Sequence, residues 1–140
     1  MKAGICNLIL HTSGVLCYAD SGSVRIPNTL GQRPKTFEID CLVENEAIEI
    51  KWRDATTDGD HITKEHTRIR AIAAAGYTPV RVMFYYPNRA QAIKIQEALA
   101  TLYTGMNGYY YYGDAAWEYV RGKTQIDLRG ILEEIAHQNA

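Results

Sequence analysis

The chain has 140 residues, with 15 basic and 16 acidic side chains and a formal net charge of −1. Its hydrophobic fraction of 46% and charged fraction of 22% are typical of a soluble globular domain. No segment is apolar over the length that a membrane span requires, and the first residues make a poor signal peptide. The sequence therefore predicts one domain over residues 1–140, in the cytoplasm and with no membrane partner.

The N-terminal part, residues 1–35, has short predicted elements. Its broken apolar run predicts a helix over residues 2–11, and two strands follow at Val15–Ala19 and Val24–Pro27. Turn-forming residues over Asn28–Pro34 then lead into the middle of the chain. Of three cysteines, Cys6 and Cys17 fall here and Cys41 follows. An odd number without paired spacing predicts reduced, buried thiols and no zinc site.

The middle part, residues 36–86, has the strongest pattern. Alternating apolar and polar residues predict a strand over Thr36–Val43, a turn at Glu44–Glu46 and a second, antiparallel strand ending at Arg53. Asp60 is the predicted N-cap of a helix that ends at Gly76, and an apolar strand follows over Thr78–Tyr86. If the two strands that flank this helix are parallel, the connection is a right-handed crossover.

The C-terminal part, residues 87–140, is predicted to be mainly helical. Asn88 and Gln91 have capping-box spacing for a first helix. Four tyrosines at Tyr109–Tyr112 predict a strand whose rings point alternately to the two faces. Asp114 is the predicted N-cap of a short helix that carries Trp117. Asp127 is the predicted N-cap of a final amphipathic helix, whose apolar residues are Leu128, Ile131, Leu132 and Ile135.

Three charged residues of the predicted hairpin fall where one site would bring them together. Side chains alternate along a strand, so Glu49 and Lys51 emerge on one face while Ile48 and Ile50 enter the core. Asp40 comes from the neighbouring strand, within reach of the same site. Two carboxylates and an amine would therefore converge. The alternative is a solvated hairpin face with cross-strand ion pairs.

This combination suits metal-dependent hydrolysis of a phosphodiester. Mg²⁺ prefers oxygen ligands and is commonly held by one or two carboxylates, a role that Asp40 and Glu49 fit, with the carbonyl of Ile50 as a further ligand. Lys51 would contact the attacking water or the phosphate and offset its developing negative charge.

The hairpin and its surroundings resemble the PD-(D/E)XK nuclease superfamily. The resemblance implies an α/β (α+β) fold with a restriction-endonuclease-like core, in which a mixed β-sheet is flanked by helices in the order αβββαβ. One departure is Ile39, where the motif name has proline.

Residues 31–89, GQRPKTFEIDCLVENEAIEIKWRDATTDGDHITKEHTRIRAIAAAGYTPVRVMFYYPNR, look like ApaLI-type type II restriction endonucleases, and the likeness continues through residues 109–120. It implies double-stranded DNA as substrate, Mg²⁺ as cofactor and Asp40, Glu49 and Lys51 as the catalytic set. It also implies a longer chain, which makes a fragment, a reduced relative or a minimal nuclease the expectation for these 140 residues.

A net charge near zero gives no bulk attraction for DNA, so binding cations must be clustered on one surface. The candidates are Arg33, Lys35, Arg53, Lys64 and Arg68. In the same region, His61 and His66 are five residues apart, which does not place two ligands on one helix face. His66 is therefore expected to be packed or partly buried.

These observations lead to one functional hypothesis and its alternatives. The first is a magnesium-dependent type II restriction enzyme-like endonuclease that cuts double-stranded DNA as a homodimer. A junction resolvase or repair nickase of the same superfamily would use the same site. A nuclease-fold remnant that binds DNA without cutting it is the alternative from another class.

Overall fold

The structure, a computed structural model, describes residues 4, 5, 8, 24–31 and 33–139. Gly4, Ile5 and Leu8 are helical, while the remainder of the predicted helix over residues 2–11 and the predicted strand Val15–Ala19 lie outside the described residues. The strands are β1 (Val24–Pro27), β2 (Thr36–Ile39), β3 (Cys41–Val43), β4 (Glu46–Arg53), β5 (Thr78–Tyr85) and β6 (Tyr109–Tyr112), and the helices are α1 (Asp60–Ala74), α2 (Ala90–Gly105), α3 (Asp114–Thr124) and α4 (Leu128–Gln138).

A mixed four-stranded sheet forms the centre of the fold. Its strand order is β3-β4-β5-β6, in which β3 is antiparallel to β4 and the other neighbours are parallel. β1 and β2 form a separate antiparallel pair. Helices flank the sheet, which confirms the predicted fold class. None of the helices within the described residues combines the length and the apolar composition of a bilayer-spanning helix.

The two faces of the sheet differ in chemistry. Ile48, Ile50 and Phe84 point to one face, where they pack against Trp117 of α3 in an apolar core. Alternation sends Glu49 of β4 to the other face, toward α1 and α2. The prediction that Ile48 and Ile50 enter the core is confirmed, and Glu49 and Lys51 are therefore presented on the face opposite this core.

The predicted strand Thr36–Val43 is two strands. β2 pairs with β1, whereas β3 pairs with β4, and Asp40 lies at the break where the chain changes partner. The turn that follows contains only Glu44 and Asn45, because Glu46 already pairs with Val43. Glu44 has a φ of 54°, which is a left-handed backbone conformation that residues other than glycine seldom adopt. Cys41 is buried, as predicted.

Several predicted helix caps are wrong by one or two residues. Asp60 and Asp114 are the first residues of their helices, which leaves Gly59 and Gly113 at the N-cap. The capping box of Asn88 and Gln91 is absent, since α2 starts after an extended Arg89 without a side-chain cap. Asp127 does cap α4: its carboxylate accepts from the Gly130 N–H at 3.1 Å.

Two further expectations about burial are changed by packing, and a third is confirmed. His66 is exposed on α1, contrary to the prediction. On α4, Ile131 and Ile135 are also exposed, so that the predicted apolar stripe is only partly covered. The rings of the tyrosine strand alternate between the two faces as predicted. Tyr110 faces Tyr103 of α2, and Tyr111 stacks on Tyr119 of α3.

Candidate active site

Asp40 lies against strand β4 through a hydrogen bond to its backbone. Its Oδ2 accepts from the Ile50 N–H at 3.0 Å. This contact exists because β2 and β3 belong to different sheets, so the chain bends at Asp40 and the carboxylate turns toward β4. Ile50 stands between Glu49 and Lys51 in sequence, so the contact brings Asp40 beside both residues.

Glu49 and Lys51 lie side by side on the same face of β4. The Lys51 Nζ is 3.6 Å from Glu49 Oε1. Glu49 is buried, at 8% exposure, whereas the Lys51 side chain retains 32% of its exposure. The structure thus brings together the three residues that the sequence predicted as catalytic, with the amine nearer to the surface than Glu49.

Arg68 of α1 completes this group. Its Nη2 donates to Glu49 Oε2 at 2.8 Å and to the backbone carbonyl of Glu38 at 3.2 Å. Burial lowers the pKa of Arg68, but the negative charges around it, Glu49 foremost and Asp40 among them, outweigh this effect and raise its pKa. Arg68 is 8% exposed. It is therefore a buried ion-pair partner, and the expectation that it lies with Lys64 on an open DNA-binding surface is wrong.

Behind Arg68 the charged contacts continue across the face of the sheet. Glu65 Oε2 is 3.9 Å from Nη1 of Arg68 and 3.9 Å from Nη1 of Arg81, and it accepts from the Tyr103 hydroxyl at 3.4 Å. Burial raises the pKa of Tyr103 above its usual range, with the charge of Glu65 adding to the effect. Tyr103 therefore remains a neutral donor.

Arg81 forms the far end of this network. It has no exposed surface, and its Nη2 donates to Asp54 Oδ2 at 2.8 Å. His61 Nε2 approaches the same carboxylate oxygen at 3.3 Å. Gln96 Oε1 accepts from the Tyr110 hydroxyl at 2.6 Å, and burial raises the pKa of Tyr110 to about 12. The face of the sheet opposite the apolar core thus carries a network of charged and polar side chains, in which Arg81 Nε and Gln96 Nε2 have no hydrogen-bond partner among the described residues.

The donor set can be compared with what a metal requires. Among the described residues, no group of three or more His, Cys, Asp and Glu side chains is arranged to hold an ion. Asp40 and Glu49 offer two carboxylates on adjoining strands, and the Ile50 carbonyl is the remaining candidate ligand. Mg²⁺ keeps several waters and needs only one or two carboxylates, so these residues fit Mg²⁺ in donor chemistry.

The other predicted DNA-contacting residues are on the surface. Arg33, Lys35, Arg53 and Lys64 are all exposed. Arg53 shares the strand of Glu49 and Lys51, and Lys64 lies one helical turn before Arg68, so both are near the candidate site. Lys35 precedes β2, the strand that leads to Asp40.

Sequence reasoning missed that Arg68, Arg81 and Glu65 form one buried network. One signal was present in the sequence: Arg81 is a lone cation inside the apolar run TPVRVMFY of β5. A charge in a fully buried strand requires a partner. The identity of that partner is not encoded locally, because Asp54 and Glu65 come from other elements.

The chain matches the model of the family described as ApaLI-like restriction endonuclease over residues 9–137. No curated protein and no solved structure matches it. The matched region contains all the described strands, α1 to α3, α4 as far as His137 and every residue of the candidate site. The chain belongs to the ApaLI-like restriction endonuclease family.

Proposed function

We propose that this protein is a magnesium-dependent endonuclease that hydrolyses phosphodiester bonds in double-stranded DNA. Membership of a restriction endonuclease family supports the class of reaction and the substrate. The observation that carries the site assignment is the convergence of Asp40, Glu49 and Lys51, through the Asp40–Ile50 hydrogen bond and the 3.6 Å approach of Lys51 to Glu49.

Each residue has a role that its position supports. Asp40 and Glu49 would hold Mg²⁺, with the Ile50 carbonyl as a further ligand. When bound, such an ion would lower the pKa of a water molecule and offset negative charge on the phosphate. Lys51 is the more exposed of the pair on β4, so its ammonium can reach the scissile phosphate or the attacking water. There it would stabilise charge that develops in the transition state.

Cleavage of both strands would require two such sites. One site hydrolyses one phosphodiester, adding the oxygen of water to phosphorus and breaking the bond to one sugar oxygen. A homodimer with its sites on opposite DNA strands would complete the double-strand cut. The exposed cations Arg33, Lys35, Arg53 and Lys64 would contact the DNA backbone.

The test is digestion of a supercoiled plasmid with Mg²⁺ by the wild type and by Glu49→Gln and Lys51→Met. Loss of a group that stabilises the transition state lowers the rate by at least about a hundredfold. Lys94→Met and Glu97→Gln remove matching charges from the exposed surface of α2 and should cut at the wild-type rate. Circular dichroism must show that each variant is folded. Cutting by both site variants at the wild-type rate would refute the assignment.

A second candidate is a protein of this fold that binds DNA without cutting it. The observation that favours it is the ion pair between Glu49 and Arg68, which already neutralises the buried carboxylate without a metal. This candidate predicts that Mg²⁺ produces no nicked or linear plasmid, while the protein still retards duplex DNA in a gel.

A further inference from the structure

A single nitrogen of Arg68 holds two parts of the candidate metal site. Nη2 donates to Glu49 Oε2 at 2.8 Å and to the carbonyl oxygen of Glu38 at 3.2 Å. Glu38 belongs to β2 and is two residues before Asp40. Arg68 therefore connects the strand that leads to Asp40 with the carboxylate of Glu49.

The guanidinium of Arg68 is itself held from behind. Its Nη1 lies 3.9 Å from Glu65 Oε2, on the same helix, and Glu65 also contacts Tyr103 and Arg81. Arg68 is 8% exposed and Glu65 is 9% exposed. Moving the guanidinium away would remove one cationic partner from each of two buried carboxylates, Glu49 and Glu65, which is unfavourable.

The two oxygens of Glu49 consequently have different surroundings. Oε2 receives the charge-assisted hydrogen bond of Arg68, whereas Oε1 faces the partly exposed Lys51. A cation that bound both oxygens would compete with the Arg68 donor and its positive charge at Oε2. A cation that bound Oε1 alone could leave that donor in place.

We propose that Arg68 is a positioning residue that restricts Glu49 to one metal bond, through Oε1. As a result, the site would bind Mg²⁺ in preference to Ca²⁺. This proposal rests on the proposed function. Ca²⁺ takes about six to eight oxygen ligands and often uses both oxygens of a carboxylate. Mg²⁺ keeps several waters and is satisfied by single carboxylate oxygens. The positive charge of Arg68 weakens the binding of either ion, so the ratio of the two affinities is the diagnostic quantity.

The experiment is calorimetric titration of the full chain with Mg²⁺ and, separately, with Ca²⁺ at constant ionic strength. Arg68→Met removes the Arg68 donor from Glu49 Oε2, so the ratio of Ca²⁺ to Mg²⁺ affinity should rise by about tenfold, the lower end of the effect of removing a partner of a metal ligand. Arg70→Met is the matched control, because Arg70 is exposed on the same helix. It should leave the ratio unchanged. An unchanged ratio in a folded Arg68→Met variant overturns the proposal.

A second measurement uses the wild type and does not depend on the folding of Arg68→Met. Infrared difference spectra with and without Mg²⁺ are recorded on wild-type protein whose glutamate side-chain carboxyls carry carbon-13, which separates their bands from those of Asp40, and the labelled bands lost in Glu49→Gln are assigned to Glu49. One-oxygen coordination separates the antisymmetric and symmetric stretches more widely than two-oxygen coordination. The wide separation is expected, and the narrow one overturns the proposal.

The titrations also separate this proposal from the function on which it rests. If the wild type binds neither ion and leaves plasmid intact in Mg²⁺, the proposed endonuclease and the role of Arg68 are both refuted. If the wild type binds Mg²⁺ and cuts, but the affinity ratio is insensitive to Arg68, only the positioning role is refuted.

Discussion

Arg81 lies in the middle of β5 with no exposed surface. Its positive charge must therefore be stabilised by neighbouring protein groups instead of water. Asp54 accepts from it at 2.8 Å, and Glu65 lies 3.9 Å away. Its Nε has no hydrogen-bond partner among the described residues. Burial lowers the pKa of Arg81, but the charges around it reverse this effect and raise the pKa. Arg81 therefore remains a cation, in contact with the partly buried Asp54 and the buried Glu65.

Removing this cation should cost much more stability than removing an exposed one. Arg81→Met removes the buried cation that Asp54 contacts and one of the two cations beside Glu65, and breaking a buried pair typically costs about 3–5 kcal/mol. Arg121→Met breaks a surface pair with Glu118 and should cost about 0–1 kcal/mol. Urea unfolding followed by circular dichroism measures both values. Equal losses would contradict the structural role of Arg81.

Asp54 should contribute to the acid sensitivity of the fold. Its contact with His61 is the main cause of a pKa lowered well below the usual range, and burial opposes the shift while the Thr56 N–H and Arg81 add to it. A carboxylate whose pKa is depressed on folding stabilises the protein above its unfolded pKa, about 3.9, and loses this contribution as the pH falls through the folded value.

The corresponding experiment measures the free energy of unfolding as a function of pH. The wild type should lose stability steadily below about pH 4, where the unfolded chain takes up the proton first. Asp54→Asn should be less stable at neutral pH and show a shallower decline in acid. Asp58→Asn, an exposed neighbour, should retain the wild-type slope. A wild-type slope in Asp54→Asn would exclude this contribution.

At the scale of elements, the entry to β6 depends on a close approach of two backbones. Gly108 ends the connection from α2, and its N–H donates to the Tyr103 carbonyl at 2.8 Å. A Cβ at this position would overlap the carbonyl oxygen of Pro79 and lie 2.8 Å from its Cγ. Glycine therefore allows β6 to reach its parallel register beside β5.

The substitution Gly108→Ala should destabilise the protein, because the backbone or the ring of Pro79 must shift to make room for the methyl group. Inserting a methyl group into a packed site typically costs about 1–3 kcal/mol. Gly105→Ala is the control, since nothing lies within 4 Å of its Cβ position at the end of α2. It should be neutral or stabilise by up to about 1 kcal/mol. Thermal unfolding distinguishes them, and equal midpoints would contradict the close-approach argument.

At the scale of the whole molecule, charge must be distributed unevenly if the protein binds DNA. The net charge is −1, so phosphate binding depends on a local excess of cations. Two of the basic side chains, Arg68 and Arg81, are not available to bind phosphate on the surface, because they are paired with acids inside the fold. Lys64 and Arg53 are among the cations left on the surface near Glu49 and Lys51.

Duplex binding should therefore weaken with salt in proportion to these surface contacts. Each phosphate-contacting cation contributes about one unit to the slope of log affinity against log salt concentration. Lys64→Ala and Arg53→Ala should each reduce the slope by about that amount. Arg121→Ala removes the same charge from α3, on the opposite face of the sheet, and should not change it. Fluorescence anisotropy in EDTA gives the slopes, and identical slopes in all variants would exclude this surface.

The strands of the central hairpin and the placement of Glu49 and Lys51 follow from short-range pattern. Alternation along β4 fixed which residues face the apolar core, since a strand turns successive side chains to opposite sides. It also put Glu49 beside Lys51. The sequence likewise indicated Asp127 as a cap, because a cap bonds within its own helix turn. By contrast, Asp60, Asn88 and Asp114 were misassigned as caps, since helix starts shift by a residue with backbone geometry.

What the sequence by itself determined is the order of elements, the faces of β4 and the family likeness. Only the tertiary structure decided how the buried charges pair. Arg68 reaches Glu49 because α1 packs across the sheet, and Asp40 contacts β4 because its strand changes partner there. Such contacts join residues of separate elements, and their energy depends on burial and distance. Neither quantity exists in an extended chain, so local pattern could not predict them.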